Sequence, residues 1–158
     1  MTRECKQQFT LRITQANSTQ LIVILYEMLL VYLEEAKHAH EMQDRSAFRE
    51  AVRKARGCLN ELLHSLNLEY EPAPALLQLY LFCIRRLASG EVRNDPQALA
   101  EIEKVVRPLH DAYEEIAKLN GDGPVMNNSQ TVYAGLTYGR NTLTENMADQ
   151  GANRGMLI

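Results

Sequence analysis

The side chains that could do chemistry in this chain are a few histidines, three cysteines and scattered carboxylates, and their spacing assembles no catalytic centre. His38 and His40 stand two apart, so on a helix they point to different faces and cannot both bind one metal ion. Glu34 and His38 stand four apart and share a face, which makes at most half of a metal site. No metal and no cofactor is expected. His64 raises a different class, a phosphotransfer module with the histidine as acceptor. Such a module would follow its histidine with a Lys-Gly-Ser-like run to balance and admit the phosphate; here Ser65-Leu66-Asn67 follows. No glycine-rich phosphate loop, nucleophile elbow or pair of carboxylates flanking an apolar stretch is present. The chain reads as a non-enzyme, with His64 kept as the enzyme-pathway alternative.

The cysteines, Cys5, Cys58 and Cys83, are odd in number and widely spaced. Cys58 and Cys83 fall within apolar periodic segments, where a thiol acts as a small hydrophobe. That usage fits a reducing compartment.

The chain has 158 residues, 46% of them hydrophobic and 23% charged, with a net charge of −3. This suits one globular domain and gives no sustained positive field for nucleic acid. The basic clusters Arg53, Lys54, Arg56 and Arg85, Arg86 have acidic neighbours and no aromatic stacking platform, and read as solvated helix faces. Residues 1–16 are polar, without the apolar core of a signal peptide. The most apolar run, Leu21 to Leu33, contains Glu27 and is 13 residues long, against the roughly 20 needed to span a bilayer. A cytoplasmic protein without membrane insertion is the expectation.

Four helical segments must position whatever this chain presents. The first begins at the capping cluster Asn17-Ser18-Thr19, runs to about Met42 and has a stripe of Ile22, Leu25, Leu29, Tyr32 and Ala36. The second follows Asp44-Arg45-Ser46, and Phe48, Val52, Ala55, Leu59, Leu62 and Leu66 keep a 4-3-4-3-4 spacing. Two prolines break the chain before the third, from about Ala73 to Ser89, with Leu76, Tyr80, Cys83 and Leu87 on one side and Gly90 as its expected left-handed terminator. The fourth opens at Asp95-Pro96, carries Leu99, Ile102, Val106, Leu109, Tyr113 and Ile116, and closes at Asn120-Gly121. A kink is expected at Pro108. The architecture expected is an all-α antiparallel up-down four-helix bundle over residues 17–120, with an N-terminal tail (1–16) and a C-terminal extension (121–158) that is flexible or folds back.

The stripes leave apolar residues over. Val23, Ile24, Leu30 and Val31 fall on or beside the charged side of the first segment, and Tyr26 and Leu33 on its flank. On the third, Phe82 sits among polar residues, with Leu77, Leu79 and Leu81 on the flanks. A bundle helix needs one apolar stripe; a second one implies a partner helix, an oligomer contact or cover by the chain's own tails. Self-association through this face, as a homodimer, is the plain alternative.

These residues resemble a known family. NSTQLIVILYEMLLVYLEEA (Asn17 to Ala36), with Leu25, Tyr26 and Glu27, is similar to the opening helix of the FliS-type flagellar secretion chaperones. KARGCLNELLHSLN (Lys54 to Asn67), ALLQLYLFCIRRL (Ala75 to Leu87) and LHDAY (Leu109 to Tyr113) resemble its later segments, in order over about residues 6–119. Tyr113 stands where the family usually has tryptophan, Glu71-Pro72-Ala73-Pro74 replaces a glycine-containing turn, and Phe9 stands where a tyrosine is frequent. The resemblance implies a type III export chaperone that binds the C-terminal helical region of flagellin, prevents premature polymerisation and serves the flagellar export apparatus. It also implies a partner groove at Val23, Tyr26, Leu30, Leu77, Leu81 and Phe82, with Phe9 and Ile13 as an N-terminal apolar plug. Glu145 to Ile158 resembles a flagellin C-terminus and could mimic the client.

Overall fold

Short polar side chains placed at the segment boundaries set where each helix begins. In this computed structural model, which describes residues 1–126, the elements are α1 (Arg3–Gln15), α2 (Ser18–Glu41), α3 (Arg45–His64), α4 (Ala73–Arg93) and α5 (Gln97–Leu119). Asn17 and Gln20 cap α2 reciprocally: the Asn17 side chain accepts from the Gln20 N–H at 2.8 Å, and the Gln20 side chain accepts from the Asn17 N–H at 2.9 Å. Asp44 accepts from the Ala47 N–H at 3.0 Å at the start of α3, and Asp95 from the Gln97 N–H at 2.9 Å before α5. That last hydrogen bond, with Arg86 beside it, holds the Asp95 carboxyl below the usual carboxylate range. α5 continues through Pro108 as one element.

Two boundaries differ from expectation. Residues 3–15, within the expected tail, form a helix. Its first turn is capped by Thr2, whose hydroxyl accepts from the Cys5 N–H at 3.1 Å, and Glu4 and Arg12 lie at opposite ends in the sense that suits the helix dipole. Periodicity analysis passed over it because its apolar stripe, Met1, Cys5, Phe9 and Ile13, is one residue wide. Second, Gly90 lies inside α4, and Asn94 takes the left-handed cap (φ 55°). Gly90 is there for space: a Cβ on it would lie 2.6 Å from the Ala98 Cβ, where the start of α5 crosses α4.

Helices α2 to α5 pack as a ring: α2 against α3 and α5, α3 against α4, and α4 against α5. Between them lies a core that includes Tyr26, Leu29 and Leu33 of α2, Phe48, Val52, Leu59 and Leu62 of α3, Leu76, Tyr80, Cys83 and Leu87 of α4, and Leu99, Ile102 and Val106 of α5. Across it, α2 and α4 meet through the hydroxyls of Tyr26 and Tyr80, which share a hydrogen bond. The stripes expected of α3 and α4 point inward. On α2 the inward stripe is Tyr26, Leu29, Leu33 and Ala36, and Ile22, Leu25 and Tyr32 are only partly buried beside it. This helix is apolar almost all round, so its own periodicity could not select the inner face.

Ion pairs stitch the helices outside the core. Glu91 of α4, almost fully buried, receives Arg53 Nε at 2.8 Å and Arg56 Nη2 at 2.9 Å from α3, with Arg49 Nε at 3.5 Å. The Arg53–Arg56 cluster is therefore a latch between helices rather than a solvated face. Arg86 joins Glu101 of α5 at 2.8 Å and Asp95 at 3.1 Å. Among the described residues, no helix is long and apolar enough to cross a membrane.

Candidate functional site

The outer face of α2 is where the apolar surplus goes. Leu21, Ile24, Met28 and Val31 recur at 3-4-3 spacing and form a second stripe on the side away from the core, a spacing that was legible in the sequence. α1 lies along it. Phe9 (8% exposed) and Ala16 pack with Ile24 in a small cluster of their own, edged by Cys5, Ile13, Leu21, Met28 and Val31. Among the helices, α1 packs against α2 alone. Ion pairs add to the apolar contact: Arg12 Nη2 to Glu27 Oε2 at 2.6 Å, and the Met1 amino group, just ahead of α1, to Glu35; the Arg12 guanidinium also lies 5.6 Å from the Phe9 ring centroid.

The hinge between α1 and α2 is held by the chain that follows α5. The Val125 N–H donates to the Ala16 carbonyl at 2.9 Å. The Asn17 side-chain amide donates to the Asp122 carbonyl at 3.2 Å, and that of Asn120 donates to the Thr19 hydroxyl at 2.8 Å. Beyond the start of α1 the apolar track continues as an open recess of about 730 Å³ between α2 and α3. Val31, Ala39, Met42, Ala47 and Ala51 line it, with Glu34, Glu35 and Glu50 around them.

The positions expected to form one partner groove do not lie in one groove. Tyr26 is 0% exposed and Val23 is buried; Leu30 is half-buried against the core. Tyr26 is a core residue because its ring packs at 5.8 Å from Tyr113 and its hydroxyl finds Tyr80 in the interior. Burial pushes both phenols up, Tyr80 to about 12. Leu77 and Leu81 of α4 are half-buried, and Phe82 is 44% exposed. The α4 residues stand across the ring from α2. Phe9 and Ile13 do lie against the surplus face of α2.

The other candidates are scattered. Glu34, His38 and His64 are all exposed. Glu61 and His64 also have the three-residue spacing of a helical half-site, and among the described residues no third ligand joins them. Cys58 and Cys83 are buried thiols pushed up to about 12 and about 11 by desolvation, which keeps them protonated and inert. The segment Glu145 to Ile158 lies outside the described residues. Sequence reasoning missed Glu27, His110 and Glu114, a potential ligand cluster contributed by α2 and α5.

The described residues thus form a helical bundle with a short helix laid over a spare apolar face. Comparison with known proteins gives the family. The family described as "Flagellar protein FliS" matches residues 1–120, and the chain belongs to it. The flagellar secretion chaperone FliS of Bacillus subtilis (strain 168) is 29% identical over 103 residues, covering 65% of this chain and 77% of that one. That of Salmonella typhimurium (strain LT2) is 33% identical over 108 residues (66% and 80%), and that of Escherichia coli (strain K12) 29% over 106 residues (65% and 78%).

Proposed function

We propose that this protein is a cytoplasmic, non-enzymatic flagellar export chaperone. It binds the C-terminal helical region of flagellin, keeps it from polymerising and passes it to the export apparatus, with α2 to α5 as an antiparallel up-down bundle. The observation that carries this reading is the outer stripe of α2, an apolar helix face covered by one short helix that packs on nothing else in the ring. An isolated helix of 13 residues is marginal in water, so α1 holds its shape by docking, and a longer amphipathic helix can replace it on the same stripe. Such a client would run on into the recess at Met42, Ala47 and Ala51. Phe82, with Leu77 and Leu81, gives α4 a separate apolar surface for another stretch of the client. The secretion-chaperone relatives support the assignment to export.

Calorimetric titration with the C-terminal peptide of flagellin from the same organism tests it. Saturable binding is expected, tightened by Phe9→Asp, which frees the stripe, and abolished by Ile24→Glu with helicity retained. Absence of binding by both the native protein and Phe9→Asp overturns the reading, and growth of mass with concentration in those samples would then favour the homodimer.

A further inference from the structure

His110, Glu114 and Glu27 bring three metal-type donors to one point on the seam between α5 and α2. His110 and Glu114 are four apart on α5 and share a face, and Glu27 reaches them from α2. One donor atom from each lies within 4.8 Å of the other two. We propose that this is a binding site for Zn²⁺ or a similar divalent transition-metal ion, ligated by His110 Nε2, Glu27 Oε1 and a Glu114 carboxylate oxygen, with water in the fourth position. A histidine and two carboxylates are a donor set that Zn²⁺ accepts, and in a tetrahedral site the donors stand roughly 3.3 Å apart. Rotation of Glu114, which is exposed, can close that gap.

The polarity of the cluster calls for a cation. Asp111 Oδ1 lies 3.1 Å from His110 Nδ1 and can only accept, so Nδ1 carries the hydrogen and the ring's other nitrogen, Nε2, turns the opposite way. Nε2 is shielded from solvent and has no hydrogen-bond partner; the nearest charged atom is Glu27 Oε1 at 3.6 Å, another acceptor. His110 Nε2 is thus left shielded and without a partner beside two carboxylates, which is costly for a polar atom. Two of the ligands are also steadied from behind, as ligands in metal sites are. Asp111 holds the imidazole, and Arg12 Nη2 lies 2.6 Å from Glu27 Oε2, leaving Oε1 for the ion. The site stands apart from the core, and the inference does not rest on the client reading.

The test uses the tag-free, reduced, full-length protein, stripped of metal and titrated with Co²⁺ and then Zn²⁺ at pH 7.5. The expected result is one equivalent of Co²⁺ giving visible d–d bands without a thiolate charge-transfer band, and displacement by Zn²⁺. His110→Gln and Glu114→Gln should each weaken Zn²⁺ binding by about tenfold or more, with helicity unchanged, while His64→Gln leaves it intact. No saturable uptake overturns the site. So does uptake indifferent to His110→Gln and Glu114→Gln, or a thiolate band that assigns the metal to cysteine.

Discussion

The two faces of α2 are both apolar, and they are buried by different means. The inner face, Tyr26, Leu29, Leu33 and Ala36, is surrounded by three other helices and has almost no exposed surface. The outer face, Leu21, Ile24, Met28 and Val31, is covered mainly by α1, through a single row of side chains and the ion pairs of Arg12 with Glu27 and of Met1 with Glu35. The inner face can be uncovered only by unfolding the bundle. On the proposed function the outer face is uncovered by lifting 13 residues, which would make its opening free energy lower than the global one. Apolar sequence marks both faces for burial, and the number of partners decides which burial is permanent.

The largest effect should come from the inner face. Leu29→Ala removes a fully buried side chain at the centre of the core and should cost about 2–5 kcal/mol, read as a lower urea midpoint with an unchanged slope. A cost below 1 kcal/mol would mean the two faces are not distinct. Phe9→Ala would cost a comparable amount if α1 belonged to the same cooperative unit. If α1 detaches, as the proposed function requires, the loss is capped by its docking free energy. Hydrogen exchange should show protection lost from residues 3–15 and kept in α2 to α5; a drop shared by all five helices would erase the contrast.

Smaller effects sharpen it. Tyr26→Phe leaves the Tyr80 hydroxyl without its partner in the interior and should cost about 1–2 kcal/mol. The Tyr26→Phe/Tyr80→Phe double variant should lose less than the sum of the two singles, and additivity would show that the hydroxyl pair is not formed. Arg12→Ala removes a half-exposed ion pair at the outer face and should cost no more than about 1 kcal/mol, diminishing with added salt.

The core that the inner face of α2 packs into should also respond to alkali, through groups on α3 and α4. Cys58, Cys83 and Tyr80 have folded-state values raised to about 12, about 11 and about 12. The unfolded chain loses these protons first, so the stability they give is complete below the ordinary thiol value near 9 and is lost as pH rises from there toward 12. The melting temperature should fall between pH 8.5 and 10.5, and less steeply in Cys58→Ala/Cys83→Ala. A flat profile would mean that these groups are solvated.

Much of the bundle was legible along the chain. The rows Phe48 to Leu62 and Leu76 to Leu87 each face inward as read; on α3 the opposite face is polar and leaves one choice. The caps at Asn17 and Asp44 stand where their side chains predicted, since a cap is satisfied within three residues; α5 begins one residue later than expected, with Pro96 at its N-cap and Asp95 accepting from the Gln97 N–H. The site was less legible. Tyr26 and Val23 were expected in a groove and are buried, and Gly90 was expected to end a helix that continues to Arg93.

What the sequence by itself determined is therefore the local part: the type and approximate limits of α2 to α5, the surplus of apolar surface on α2, and the family. Tertiary structure alone decided which side of α2 faces the core, because a helix apolar on nearly every side has no preferred direction until its neighbours arrive. It decided that residues 3–15 are a helix, because a stripe one residue wide gains stability only against a matching surface. And it brought Glu27 to His110 and Glu114 through the packing of α2 on α5, a proximity no spacing along the chain encodes.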